Sequence, residues 1–185
     1  MIRMKVVIPD SELSLSDMKM AKEMAIKKGI ERALARGIAG SENELIARHA
    51  QNIADFGTAI EQWNTAALAV VGTAYTVFQA IAAPALANNK VAVFYKAGVE
   101  TPGQPVSLLN FRQGAGGGTT YAVFDLEQLI NQNGLGVEGW FSEPVLYDPS
   151  EVMNITVTAR IATALLARVQ LGCFIIEPKG PTISG

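Results

Sequence analysis

The sequence is poor in the side chains that most often build reactive sites. It contains one cysteine, Cys173, and one histidine, His49, among 185 residues. A single cysteine excludes an intramolecular disulfide and a CxxC metal or redox motif. Cys173 lies in the apolar run Leu171–Ile176, which predicts a buried and unreactive thiol. Because the carboxylates are scattered singly as well, the sequence predicts no catalytic residues, no metal site and no cofactor, and hence a protein that is not an enzyme.

Charge is also scarce, and it is distributed unevenly. The net charge is -2, so no global basic field attracts nucleic acid. Residues 1–61 hold nine Lys/Arg and nine Asp/Glu, residues 62–185 hold six and eight, and no charged side chain lies between Glu61 and Lys90. Soluble domains keep about a quarter of their residues charged. The charge-poor part is therefore expected to face something other than water, such as another subunit or lipid.

The N-terminal sequence lacks the apolar core and the small-residue cleavage site of a secretory signal, which predicts synthesis in a reducing cytoplasm. A first helix is predicted from Ser14 or Ser16 to about Arg36, with Gly29 as a weak point in its middle. It carries a local excess of three positive charges. Contact of this region with nucleic acid or an anionic membrane is one interpretation, and a solvated helix face is the other.

A second helix is predicted after Ser41-Glu-Asn-Glu44, which has the sequence of a capping box. Apolar positions then follow at alternating spacings of three and four residues, as on the packing face of a helix. These positions are Ile46, His49, Ile53, Phe56, Ile60 and Trp63. All of them except His49, which is interpreted as a packed core residue, are candidate interface residues. Residues 1–63 are thus predicted to form a two-helix arm.

Residues 64–89 are apolar, and their sequence is consistent with more than one secondary structure. Their length admits a membrane-spanning helix, but they are rich in alanine and contain several threonines and Pro84. A strand pair or a buried helix explains them as well.

From Lys90 onward the pattern is that of short strands separated by Gly- and Pro-containing turns. Strands are predicted at 90–95, 106–111, 119–124, 152–158 and 167–176, with a short helix at 126–131. In one of them Met153, Ile155 and Val157 alternate with polar residues. The fold class predicted is mainly β, an antiparallel β-sandwich or jelly roll over residues 64–185, preceded by the helical arm.

This region contains no recognisable catalytic or phosphate-binding motif. Gly114-Ala-Gly-Gly-Gly118 lacks the lysine of a phosphate-binding loop and is interpreted as a mobile loop between strands. Two carboxylate pairs, Asp125 with Glu127 and Glu138 with Glu143, cannot be placed across a cleft by sequence alone. Arg112, Arg160 and Arg168 are rare cations that are interpreted as partners of carboxylates between subunits. Arg112, Trp140 and Phe141 complete the candidate interface residues.

The residues that carry a family resemblance follow a charged helical region. They are the strands listed above, the turn Tyr147-Asp-Pro-Ser150 and the closing Phe174-Ile-Ile-Glu-Pro-Lys-Gly180. In these residues the sequence resembles the small jelly-roll coat proteins of viruses and phages. The resemblance concerns architecture over residues 90–185 and includes no sequence motif. It implies self-assembly into a shell and no enzymatic activity. The absence of a strongly basic arm departs from many such proteins and puts direct genome packaging in doubt.

The resulting hypothesis is a structural, self-assembling subunit, namely the capsid or shell protein of a virus or phage. Its expected partners are further copies of itself and other virion proteins, and its expected location is a virion made in the host cytoplasm. The alternative is a non-enzymatic β-sandwich module that binds carbohydrate or another surface ligand. That module would use Trp140, Phe141, Tyr147 and the loop at 114–118.

Overall fold

Strands dominate the protein in a computed structural model, which describes residues 4–79, 81–101, 103–116, 118–129 and 138–180. The strands are β1 (Met4–Lys5), β2 (Val7–Pro9), β3 (Leu45–His49), β4 (Asn64–Ala67), β5 (Ala74–Thr76), β6 (Val91–Val99), β7 (Val106–Gln113), β8 (Thr120–Asp125), β9 (Glu138–Tyr147), β10 (Met153–Ala159) and β11 (Leu166–Pro178). The helices are α1 (Leu15–Ala35) and α2 (Asn52–Phe56), with 3-10 turns at Asp10–Glu12, Glu42–Glu44 and Glu127–Leu129.

The strands form two sheets. Sheet A has the order β1-β8-β7-β10-β5, and sheet B has the order β2-β9-β6-β11-β3, with β4 also paired to β11. Apart from β1, which runs parallel to β8, neighbouring strands are antiparallel. The chain is therefore mainly β, an antiparallel β-sandwich preceded by a helix, as the sequence predicts.

The pairings are nested around the turn between β7 and β8. Going outward along the chain, β7 pairs with β8, β6 with β9, β5 with β10, and both β3 and β4 with β11. This is the pattern of one long hairpin rolled into two sheets, and it is compatible with a jelly-roll architecture. The turn at its centre contains Gly114 and Gly116, both at positive φ, which explains why glycines are concentrated there.

The main core lies between the two sheets. In β10 the buried residues are Met153, Ile155, Val157 and Ala159, so the predicted alternation is confirmed. Aromatic rings fill the centre, where Phe94 lies 5.3 Å from Phe111 and Phe124 stacks 3.9 Å from Phe141, measured between ring centroids. Such ring pairs bury large apolar areas and fix the separation of the sheets.

Helix α1 covers the outer face of sheet B and is the predicted first helix. Ser14 caps it through a reciprocal capping box with Asp17. Its buried residues, Ala25, Gly29 and Ala33, recur every four positions and face the sheet. A Cβ added at Gly29 would lie 2.6 Å from Val93 Cγ2 and 2.7 Å from Ile176 Cγ1. Gly29 therefore allows the helix to approach the sheet closely, in addition to lowering the helix propensity.

The predicted second helix is wrong. Residues 42–44 form a 3-10 turn, the Ser41 side chain makes no capping bond, and the Glu44 carboxylate instead accepts from the backbone N–H of Gly40. Leu45–His49 is a strand whose register runs from His49 opposite Phe174 to Leu45 opposite Pro178. The long strand β11 needs a partner along its C-terminal part, and this tertiary pairing outweighs the local helical pattern.

Only a fragment of that predicted helix is helical, namely α2, which ends where Gly57 adopts a left-handed conformation. The strands predicted from residue 90 onward are confirmed, but β9 was not foreseen. Residues 64–79 and 81–89 contain β4 and β5, which favours the strand interpretation for part of this run. The helix predicted at 126–131 is a 3-10 turn over Glu127–Leu129, and its last two positions lie outside the described residues.

Candidate assembly surfaces

One end of the sandwich exposes a cluster of aliphatic side chains, which we call the tip patch. It comprises Val70, Val71, Ile161, Leu165 and Leu166. Val70 and Val71 belong to the loop between β4 and β5, Ile161 and Leu165 belong to the loop that leads from β10 into β11, and Leu166 is the first residue of β11. Their exposed fractions run from 42% for Leu166 to 69% for Leu165, so none of them is buried by the chain's own fold.

Backbone hydrogen bonds join the two loops of the tip patch into one surface. The N–H of Thr163 donates to the carbonyl of Leu68 at 2.9 Å, and the N–H of Gly72 donates to the carbonyl of Ala159 at 2.8 Å. Leu68 is fully buried beneath them. Gly72 has a positive φ that lets the first loop turn at this point. The two loops are therefore held side by side, which brings the five aliphatic side chains to the same end of the sandwich.

The tip patch also lacks charge. Residues 62–89 and 161–167 contain no charged side chain. The nearest cation along the second loop is Arg160, whose guanidinium donates to the carbonyls of Gln104 at 3.1 Å and Gly103 at 3.0 Å. Arg160 thus bonds within the chain, where the sequence suggested a partner in another subunit.

The charged side of α1 is partly committed to the sandwich. Asp148 accepts from Arg32 in two hydrogen bonds of 2.5 Å and from Arg36. Burial alone would raise the pKa of Asp148, but the two guanidinium groups outweigh it and hold that pKa below its usual value. Lys5 and Lys28 approach Glu143 at 3.2 and 3.4 Å and lower the pKa of its carboxyl. These contacts fasten the helix to β9 and to the turn after it.

A second ionic cluster fixes α2 against the end of sheet B. The Asp55 carboxylate, which is fully buried, accepts from Arg48 in two bonds of 2.7 Å and from Lys90 at 2.7 Å. Glu177 pairs with the same two cations. Burial acts to raise the pKa of Asp55, yet hydrogen bonds from Arg48, the Gln51 backbone and Lys90 lower it to about 2.

The predicted interface residues do not form one surface. Phe56, Trp63 and Phe141 are buried in the core between the sheets, and Trp140 is buried beneath α1. In the folded chain these four side chains hold its own elements together, and an interface role for them stays a prediction. Ile46 and Ile53 are exposed, whereas Ile60 and Arg112 are half-buried. His49 is exposed on β3, with its ring 4.8 Å from that of Phe174, so the packed core position predicted for it is wrong.

The carboxylates considered for catalysis are separated and mostly paired. Glu138 pairs with Lys96, Glu143 with Lys5 and Lys28, and the Asp125 carboxylate accepts from the backbone N–H of Glu127. In the described part of the chain no three His, Cys, Asp or Glu side chains are grouped to hold a metal ion. Cys173 is buried as predicted, and burial raises the pKa of its thiol well above the usual value.

The aromatic residues proposed for a carbohydrate site are also unavailable. Trp140, Phe141 and Tyr147 are buried, and the Tyr147 hydroxyl donates to the carbonyl of Arg112 at 2.9 Å. A different groove of about 260 Å³ lies on the outer face of sheet B beyond α1. Its lining includes Glu61, Trp63, Lys96, Glu100, Arg168 and Gln170. Arg168 pairs there with Glu100 at 3.2 Å, again within the chain.

Sequence reasoning missed the tip patch itself. The charge-free run that contains Val70 and Val71 was a usable signal, but that run also supplies buried residues such as Leu68 and Phe78. Among the described residues no helix is long and apolar enough to span a membrane. Comparison of the chain with protein-family models, curated proteins and solved structures finds no match.

Proposed function

We propose that this chain is a structural subunit that assembles with further copies of itself, as the shell protein of a virus or phage does. The observation that carries the proposal is that the strands from β3 to β11 pair in a nested order. This order is compatible with a jelly roll, one of the architectures from which viral shells are built. Because one fold can serve many functions, the function must also be inferred from the properties of the chain's surface.

That surface is consistent with assembly. The sandwich region has few charges, and the described residues leave an aliphatic cluster exposed at one end of it. Monomeric soluble proteins seldom expose large apolar patches, and such patches mark contacts with other molecules. In this proposal the partners are further copies of the chain and other virion proteins, and the chain acts in a virion without enzymatic activity.

The exposed lysines of α1 are the part of the chain suited to an anionic partner. Lys19, Lys22 and Lys27 are exposed, while Arg32 and Arg36 are held by Asp148. The Lys22 ammonium lies 5.9 Å from the centroid of the Trp140 ring. Glu23 and Glu31 are exposed among them and reduce the local charge. Contact with nucleic acid or a membrane through this helix is thus a secondary part of the proposal, and it would weaken as salt is raised.

The test is the mass of the untagged protein in solution, measured by light scattering over a range of concentrations, with negative-stain images of the same fractions. Assembly predicts particles or sheets of many copies, with a mass that grows with concentration. A monomer or dimer at every concentration would contradict the proposal.

The second candidate is a binding module, favoured by the groove on sheet B, whose lining combines the carboxylates of Glu61 and Glu100 with the amide of Gln170. A few convergent hydrogen-bonding side chains in a groove are typical of sites for polar ligands. A monomer that binds oligosaccharides, with binding lost in Gln170→Ala and kept in Gln113→Ala on the other sheet, would support this candidate in place of assembly.

A further inference from the structure

The exposed apolar area of the tip patch is large for a monomeric protein. Its five aliphatic side chains are 42% to 69% exposed and together present roughly 400 Å² of apolar area, within the range of the largest patches on monomeric proteins. A stable interface between two chains buries about 800 Å² on each partner. The tip patch alone is therefore small for an isolated dimer, and it suits one of several contacts that each copy makes in an assembly.

The absence of charge indicates what the tip patch meets. When copies of one chain meet around a rotation axis, identical residues come close to one another, and any charge there faces its own like. Residues 62–89 and 161–167 avoid this repulsion because they carry no charged side chain. Arg160, at the border, is turned to the carbonyls of Gln104 and Gly103.

A lipid surface fits the tip patch less well. Protein segments that lie in membrane interfaces combine tryptophan or phenylalanine with lysine or arginine, which bind the headgroup region. The tip patch consists only of valine, isoleucine and leucine, and the net charge of -2 gives no attraction to anionic lipid. Most other positions of the two loops are alanine, threonine or glycine, and their small size favours close packing against protein.

We infer that the tip patch is a contact surface between copies of this chain, which meet there tip to tip around a rotation axis. This inference rests on the proposed function, since it names the surface by which the subunit assembles. Val71 and Leu165 lie on the two loops of the patch and would be at the centre of the contact.

The experiment uses the buried position of the only cysteine. Because Cys173 is inaccessible, a cysteine introduced at the surface is the one thiol that a short bis-maleimide reagent can reach. Val71→Cys is compared with Val6→Cys, which has the same exposed fraction of 57% but lies between β1 and β2 at the opposite edge of the sandwich. Val71→Cys is expected to give cross-linked dimers, since the one reachable thiol of each chain can be joined to only one partner. Val6→Cys is expected to give only the background of random collisions.

A second pair of variants measures the contribution of the contact to assembly. Leu165→Asp places a like charge on every copy at the tip, and Val6→Asp is its control. Leu165→Asp is expected to raise the concentration at which half the protein assembles by roughly thirtyfold or more, as for a contact at the centre of an interface. Far-UV circular dichroism and thermal unfolding confirm that both variants are folded.

The outcomes separate this inference from the proposed function. If the wild type assembles while Val71→Cys gives no more cross-linking than Val6→Cys and Leu165→Asp assembles normally, the inference is overturned and the proposed function stands. If the wild type is monomeric at every concentration, the proposed function fails. Flotation of the wild type, but not of Leu165→Asp, with neutral phosphatidylcholine vesicles would assign the tip patch to lipid and overturn the inference.

Discussion

The outer face of sheet B and the tip patch are both apolar surfaces of the same sandwich, but the chain covers only the first. On sheet B, Val93, Tyr95, Trp140 and Ile176 are buried because α1 lies over them. At the tip, Val71 and Leu165 face outward with nothing from the described residues above them. The comparison shows that the chain buries one apolar surface, the outer face of sheet B, under its own helix and leaves the other, the tip patch, exposed.

The same comparison explains the uneven charge. Helix α1 has one face on the sheet and another in water, so residues 1–61 carry charge at an ordinary density. The charge-free run after Glu61 has two different causes, since Trp63, Leu68 and Phe78 are inside the core whereas Val70 and Val71 are exposed. Absence of charge therefore marks both buried and uncovered surface, and the fold is needed to tell them apart.

The largest effect is expected where the covered face is tightest. Gly29→Leu places a side chain where even a Cβ would lie 2.6 Å from Val93, so the helix must move away from the sheet. We expect a loss of about 3 kcal/mol in the free energy of unfolding, at the upper end of the cost of overpacking. Ala35→Leu, on the exposed side of the last turn, is the control and should change stability little. An unchanged urea midpoint for Gly29→Leu would contradict the packing of α1 on sheet B.

A smaller effect is expected from the ionic cluster that holds α2. The pKa of Asp55 is lowered to about 2 in the folded state from 3.8, so its ionised form stabilises the fold above about pH 4. That contribution, roughly 2 kcal/mol, is lost as the pH falls towards 2. Asp55→Asn should therefore be less stable than the wild type at pH 6, and the difference should shrink between pH 4 and 2. A difference that does not depend on pH would contradict this prediction.

An effect of about 1 kcal/mol is expected at the far end of α1. Asp148→Asn removes the charge that pairs with Arg32 and Arg36, but both arginines are nearly half exposed, so water replaces part of the interaction. Amide hydrogen exchange should increase in the C-terminal half of α1. The control is Glu23→Gln, which removes the exposed pair with Lys19 and should leave exchange unchanged. Equal exchange in both variants would show that Asp148 does not fasten the helix.

The fold was predictable where local pattern and tertiary environment agree. Alternation over residues 152–158 and the cap residues Ser14 and Ser16 were sufficient to find β10 and α1. Prediction failed at residues 42–63, where the spacing of Ile46, Ile53 and Trp63 imitates a helix. The partner that determines the structure there, β11, is more than a hundred residues away along the chain.

The candidate surface was less predictable than the fold. Trp140 and Phe141 looked available for contacts because aromatic residues are common at interfaces. They are adjacent on β9, so one points into the inter-sheet core and the other lies under α1. The exposed residues of the tip patch could not be distinguished from core residues, because both are aliphatic and lie in the same charge-free run.

The smallest effect on stability is expected at the tip patch, and it tests the comparison most directly. Leu68 and Leu165 are linked by a backbone hydrogen bond of 3.4 Å, yet Leu68 is fully buried and Leu165 is 69% exposed. In the monomer Leu165→Ala should change the free energy of unfolding by less than about 0.5 kcal/mol, since exposed aliphatic side chains contribute little. Leu68→Ala, the matched control, should cost about 3 kcal/mol because it leaves a cavity.

This pair of leucines distinguishes an apolar residue that stabilises the fold from one that serves contacts between copies. If Leu165 serves only contacts between copies, Leu165→Ala should weaken assembly while the monomer keeps its stability in dilute solution. A comparable loss of monomer stability in both variants would show that Leu165 supports the fold, and the tip would then be a second covered face. The measurement is urea unfolding at concentrations low enough to keep both variants monomeric, because assembly itself would stabilise the folded state.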